Sequence, residues 1–251
     1  MNALEIKNLS VSFLMYDKGI KKKALKVISD LSISIKPGEI HAVIGSSGSG
    51  KNLLAHALLG ILPKNAITTG EMNWFGEKLT PALQKKLRGE QMVLVPQSVN
   101  YLDPLMRVGK QICKDKTLAL ETLKRYELDE SAAKKYPFEL SGGMCQRVGI
   151  VMAMLLRPQV LLADEPTSAL DVTVQKQVVE ELLFMREEYN TAMILVTHNI
   201  GVVRMMADRI LVLQDGHVRE YGETKNVLEN PQDPYTKKLM GSVLRLKKSG
   251  M

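Results

Sequence analysis

The chain has 251 residues, 45% hydrophobic and 24% charged, with 34 Lys and Arg against 27 Asp and Glu, a net charge of +7 that points to an anionic partner without choosing among nucleotide, nucleic acid and lipid. These proportions exclude a disordered chain and suit one large domain or two closely joined subdomains. No stretch approaches the ~20 apolar residues of a membrane-spanning helix, the N-terminus MNALEIKNLS lacks the apolar segment of a secretory signal, and two distant cysteines, Cys113 and Cys145, exclude a disulfide scaffold or Cys-rich metal site and suit a reducing cytosol.

Leu4, Ile6, Leu9, Val11 and Phe13 roughly alternate with polar residues, as do Leu31, Ile33 and Ile35. Both stretches predict half-buried strands, separated by a lysine-rich loop from Lys18 to Lys26. Lys36-Pro37-Gly38 is a turn signal, and Ile40–Ile44 a short strand running into a glycine-rich loop. A helix is expected from Leu53 to Pro63, then strands over Glu71–Phe75, with a turn at Gly76, and Gln91–Val95. From about Leu105 to Leu156, mixed charge with Ala and Leu predicts a helical insertion. Strand Val160–Ala163, helix Val172–Glu188, strand Ala192–Val196 and helix Ile200–Ala207 follow. The last strands are Ile210–Leu213 and His217–Tyr221, around the turn Gln214-Asp215-Gly216. Alternating strands and helices predict an α/β fold with a mainly parallel sheet covered by helices. There is no internal repeat or low-complexity tract.

Gly45-Ser46-Ser47-Gly48-Ser49-Gly50-Lys51 matches the GxxxxGK core of a phosphate-binding loop, with an apolar strand before it and a helix after it. Glycines let the backbone curl so that several N–H groups face one anion, the helix adds its positive end, and Lys51 supplies a mobile charge for the β and γ phosphates. Asn52 stands where such loops carry Ser or Thr to ligate Mg²⁺. An amide oxygen can bind a hard cation, but Asn carries it one atom further out, so the expectation is that Mg²⁺-ATP binds and turnover is reduced.

Val160-Leu161-Leu162-Ala163-Asp164-Glu165 is an apolar strand ending in two carboxylates, 113 residues after Lys51. Asp164 suits Mg²⁺, directly or through water, and Glu165 suits a general base that polarises attacking water.

With Leu140-Ser141-Gly142-Gly143-Met144, and Gln146 and Arg147 just after, the sequence resembles the ATP-binding subunits of ABC transporters, whose signature LSGGQ here ends in Met. The serine and glycines open a helix, Met144 to Leu156, giving a second anion-binding helix end. The resemblance spans essentially all residues. It implies a single ABC ATPase domain with an N-terminal antiparallel β part, a core of residues 1–97 and 157–251, and a helical subdomain over 98–156. It implies that ATP is sandwiched between the phosphate loop of one subunit and Ser141, Gly142, Gly143, Met144 and Gln146 of another. Gln97 looks like the glutamine that touches Mg²⁺ or the lytic water, Ser168 and Asp171 like the loop at the dimer interface, and His198 like the histidine that contacts the γ-phosphate. Adenine would stack on Tyr16 or Phe13. The remaining histidines, His41, His56 and His217, receive no role.

Tyr136-Pro137-Phe138-Glu139, Asp171-Val172-Thr173-Val174-Gln175, Gly60-Ile61-Leu62-Pro63 and Asn230-Pro231-Gln232-Asp233-Pro234-Tyr235-Thr236 resemble the branch importing oligopeptides, dipeptides and nickel or metal chelates. The chain ends 16 residues after Tyr235 without that branch's Cys-rich extension, which leans toward the nickel or metallophore type. The implied function is ATP hydrolysis coupled to uptake, with Mg²⁺, a second ATPase subunit, two membrane permease subunits and an extracellular solute-binding protein, at the cytoplasmic face of the membrane and without nucleic acid. The alternative is a hydrolysis-impaired partner in a heterodimer, for which Asn52 speaks. A DNA-repair or chromosome type would need a long coiled coil between Lys51 and Ser141, and these 90 residues hold no heptad run. A soluble translation-type protein usually holds two ATPase units in one chain. The basic residues Lys18, Lys21, Lys22, Lys23, Lys26, Arg245, Lys247 and Lys248 are expected to be solvated charges, or to lie near anionic headgroups.

Overall fold

A computed structural model describes residues 1–16, 22–97, 101–113, 115–125, 128–168 and 170–248. Strands β1 (Leu4–Tyr16) and β2 (Lys22–Ile35) form a long antiparallel hairpin. The expected lysine loop is narrower than the sequence suggested: Lys22–Lys26 belong to β2, because the hairpin arms run past the buried core into solvent, where alternation no longer registers. Lys23 and Lys26 are exposed, and Lys26 pairs with Asp30 at 3.3 Å. Lys18 and Lys21 fall outside the described residues.

β3 (Ile40–Gly45) leads into α1 (Lys51–Leu59), followed by β4 (Ala66–Trp74), β5 (Glu77–Lys78), α2 (Pro81–Leu87) and β6 (Met92–Val95). Between β6 and the next strand the described residues form only helices: α3 (Val108–Ile112), α4 (Lys116–Arg125), α5 (Glu130–Lys134), a 3-10 turn Pro137–Glu139, and α6 (Gly142–Leu156). β7 (Val160–Asp164), α7 (Val172–Tyr189), β8 (Ala192–Val196) and α8 (Ile200–Met206) follow. The chain closes with β9 (Arg209–Gln214), β10 (His217–Glu223), α9 (Thr224–Glu229) and α10 (Pro234–Lys248).

Among the described residues, ten strands lie in the order β5-β4-β1-β2-β10-β9-β3-β8-β7-β6. β9, β3, β8, β7 and β6 are mutually parallel, while β5, β4, β1 and β2 are antiparallel. One parallel pairing, His217 with Ser29, joins the two parts. β7 and β8 are buried at every position, as their unbroken apolar runs require of strands covered on both faces. Their side chains alternate between two cores: Leu161, Ala163, Met193 and Leu195 pack with α6 and α7, and Val160, Leu162, Ala192 and Ile194 with α1 and the β1–β2 hairpin. A third, smaller core sets Ala42 and Ile44 of β3 against Met240 of α10.

Candidate nucleotide site

The C-terminal ends of β3, β8, β7 and β6 lie side by side along one sheet edge, where open α/β sheets place their ligands. In that order they carry the glycine loop, His198, the Asp164-Glu165 pair and Gln97. A cleft of about 510 Å³ is lined by Gly45, Ser47, Gly48, Gly50, Lys51, Asn52, Gln97, Asp164, Glu165 and His198 among others.

The loop geometry follows from its glycines. Gly45, Gly48 and Gly50 have φ of 149°, 78° and 97°. A Cβ on Gly45 would meet the Leu213 carbonyl oxygen at 2.0 Å, whereas one on Gly48 would meet nothing within 4 Å. Gly45 therefore serves close packing and Gly48 keeps the cleft side open. Gly50 precedes α1 without any side-chain cap, and the first turn of α1 holds no acidic residue, so its amides stay available to an anion. The Lys51 ammonium donates to the carbonyls of Gly45 (3.0 Å) and Ser46 (2.7 Å). Burial holds its pKa below the usual lysine value, against the pull of the Glu165 and Asp164 carboxylates.

Glu165 stands just past β7 with φ of 50°, a left-handed conformation uncommon outside glycine. Its amide donates to the Val196 carbonyl at 2.8 Å, tying the turn to the end of β8. Its Oε1 lies 2.7 Å from His198 Nδ1, and Thr197 Oγ1 donates to its Oε2 at 3.5 Å. Thr197 did not stand out in the sequence except as the residue before His198. Asp164 is buried, and its Oδ1 has no hydrogen-bond partner. Burial, then the neighbouring Glu165 charge, push its pKa up to about 6, with Lys51 opposing.

This shift fixes a pH dependence. Asp164 binds its proton more tightly folded than unfolded, so stability is lost as pH rises from about 4 to about 6 and is flat above. Relative to Asp164→Asn, nucleotide-free and metal-free wild type is expected to lose up to about 3 kcal/mol across that window. Denaturant unfolding of both proteins at pH 4 and pH 7 checks it; parallel curves would show Asp164 titrating normally.

The other predicted residues lie apart from the cleft. Ser141 caps α6, its hydroxyl accepting from the Met144 amide at 3.3 Å, and the helix starts at Gly142 rather than Met144. Ser141 and Gly142 are exposed, and Gly143 and Met144 partly so. Gln146 is buried with both amide atoms unpartnered, so the fold does not bring it to the surface that Ser141 and Gly142 share. Ser168 donates to the Glu165 carbonyl at 3.0 Å, and Asp171 caps α7 by accepting from Thr173 and Val174. Phe13 packs on the β1–β2 core and Tyr16 is the exposed last residue of β1; neither lines the cleft.

A family model described as ABC transporter matches residues 28–168. The oligopeptide transport ATP-binding protein OppD of Salmonella typhimurium is 37% identical over 265 residues, covering 98% of this chain and 78% of that protein. The dipeptide transport ATP-binding protein DppD of Lactococcus lactis is 35% identical, covering 96% and 73%. Among solved structures, the ATP-binding cassette MJ0796, a dimer in a post-hydrolysis state bound to ADP and Pi, superposes with a TM-score of 0.77 at 28% identity, over 88% of this chain and 98% of that one.

Proposed function

The chain belongs to the ABC transporter family of ATP-binding domains, and from that premise we propose that it hydrolyses Mg²⁺-ATP to drive peptide uptake through separate membrane subunits. The observation that carries the chemistry is the Glu165–His198 pair, joined at 2.7 Å and lining the same cleft as the glycine loop and Lys51. The loop amides, the start of α1 and Lys51 hold the β and γ phosphates. Glu165 accepts a proton from the attacking water, and His198 orients the Glu165 carboxylate and reaches the γ-phosphate. Ser141 and Gly142, exposed at the start of α6 and away from this chain's own cleft, close on the nucleotide of a second ATPase subunit; Ser168 and Asp171 lie at that interface. Tyr16, exposed at the end of β1 outside the cleft, is offered to adenine in preference to Phe13, which packs on the β1–β2 core.

The residues fit Mg²⁺. The buried Asp164 oxygen lacks a partner, and Asn52 and Gln97 bring amide side chains to the same cleft, together a hard oxygen set. When bound, the ion would offset phosphate charge as it builds on hydrolysis. Asn52→Ser is expected to raise turnover several-fold at saturating Mg²⁺ and to lower the Mg²⁺ concentration needed for half-maximal rate. Equal rates would mean that Asn52 serves the ion as well as a hydroxyl.

Peptides are favoured over nickel or metal chelates because the relatives above are named for oligopeptides and dipeptides. No helix among the described residues is long and apolar enough to cross a membrane. The proposed assembly is peripheral, at the cytoplasmic face, on two permease subunits that receive substrate from an extracellular binding protein. Purifying the complex through this chain and measuring ATPase in proteoliposomes tests this. Peptide with its binding protein should stimulate turnover, whereas stimulation by a metal chelate alone would overturn the peptide reading.

A further inference from the structure

The exposed amide of Ser46 donates to the hydroxyl of Tyr235, 189 residues away, at 2.9 Å. The same peptide unit has a second partner. Its carbonyl, on Gly45, accepts from the Lys51 ammonium at 3.0 Å. In a trans peptide the N–H and C=O point in opposite directions. A hydroxyl that fixes the N–H on the outer side therefore fixes the direction of the C=O toward Lys51 on the cleft side.

We propose that Tyr235 is a positioning residue of the phosphate site: it holds the Gly45–Ser46 peptide so that its carbonyl keeps the Lys51 ammonium in the loop. Tyr235 is itself firmly placed. Asp233 Oδ1 accepts from the amides of Tyr235 (2.7 Å) and Thr236 (3.2 Å). Glu220 of β10 accepts from the amides of Gln232 (2.9 Å) and Asp233 (3.1 Å). The Tyr235 ring and Met240 pack with Ala42 and Ile44 on β3, the strand that delivers the loop. α10 thus supports β3 through packing and the loop through one hydroxyl, and only the second contact bears on Lys51.

This rests on the nucleotide-site reading above, and the test separates the two. Wild-type protein that fails to bind Mg²⁺-ATP would sink that reading, while the Ser46 amide reports on Tyr235 without any nucleotide. Tyr235→Phe keeps the ring and removes the hydroxyl; Tyr235→Leu also removes packing. In ¹⁵N-serine-labelled full chain, Tyr235→Phe should move the Ser46 amide resonance and speed its exchange, leaving the amide of Ser141, just before α6, in place. The Kd for ATP should rise about three- to tenfold, the size of one hydrogen bond, with the apo Tm unchanged. Tyr235→Leu should show the same rise in Kd and a lower Tm. The proposal is overturned if Tyr235→Phe binds ATP like wild type, if Ser46 does not respond, or if affinity falls only in the variant whose Tm falls, since each outcome reduces Tyr235 to a packing residue.

Discussion

Glu165→Gln is expected to lower kcat for ATP at least about a hundredfold while ATP affinity stays within about threefold, because a general base contributes 10²–10⁴ to rate and little to binding. The change is nearly isosteric. The amide can still meet His198 Nδ1, now 2.7 Å from Glu165 Oε1, and Thr197, so the turn after β7 should persist. What is lost is the only chemistry the carboxylate adds, a lone pair basic enough to take a proton from water. A second, independent signature follows from charge. After burial, the Glu165 charge is the second cause that raises the Asp164 pKa to about 6, so its neutralisation should bring Asp164 down and shift the acid-side stability window to lower pH. Steady-state ATPase, equilibrium ATP binding and unfolding between pH 4 and 7 read all three. An unchanged kcat would remove Glu165 from the base role.

The parts of this site that were legible in the sequence are those whose physics is local. The glycine loop, the Asp164-Glu165 strand end and His198 each sit at the end of a short apolar run, and three parallel buried strands bring those ends together without further instruction. α2 was missed because it is seven residues long and held largely from outside: Thr80 caps it, and buried Gln84 donates to the carbonyls of Ala57 and Leu58 at the end of α1. α9 was missed because its six residues hold only Val227 and Leu228 as apolar side chains, and α10 because Met240 finds its partners on β3, far away in sequence. Gln146 was grouped with Ser141 by adjacency. Five residues along a helix correspond to roughly 140° around its axis, which turns Gln146 into the core while Ser141 stays outside. The lean toward nickel rested on the length of the tail, a feature that carries no chemistry of its own, and the named relatives favour peptides. Tyr235 was visible only as part of a branch motif, since a contact to Ser46 across 189 residues leaves no periodicity behind.

Lys51→Met should weaken ATP binding at least about a hundredfold, since two charge-assisted contacts to phosphates are each worth roughly 1.5–3 kcal/mol. Methionine is the informative replacement because it keeps most of the stem's packing and deletes only the ammonium. The ammonium donates to the carbonyls of Gly45 and Ser46 and, at 3.5 Å, to Ser49 Oγ, and desolvation already lowers its pKa, so the loop holds a charge that phosphate oxygens would draw from these neutral partners. It is also the one group opposing the rise in the Asp164 pKa. Its removal should therefore push Asp164 above about 6, extending to higher pH the window in which Asp164 ionisation costs stability. This is the reverse of the shift expected for Glu165→Gln, although both variants are expected to turn over ATP poorly. Opposite movements of one carboxylate in two variants with impaired turnover would tie Lys51, Asp164 and Glu165 into a single electrostatic unit. A Kd for ATP within fivefold of wild type, or an Asp164 window that stays where it is, would separate Lys51 from the phosphates and from that unit.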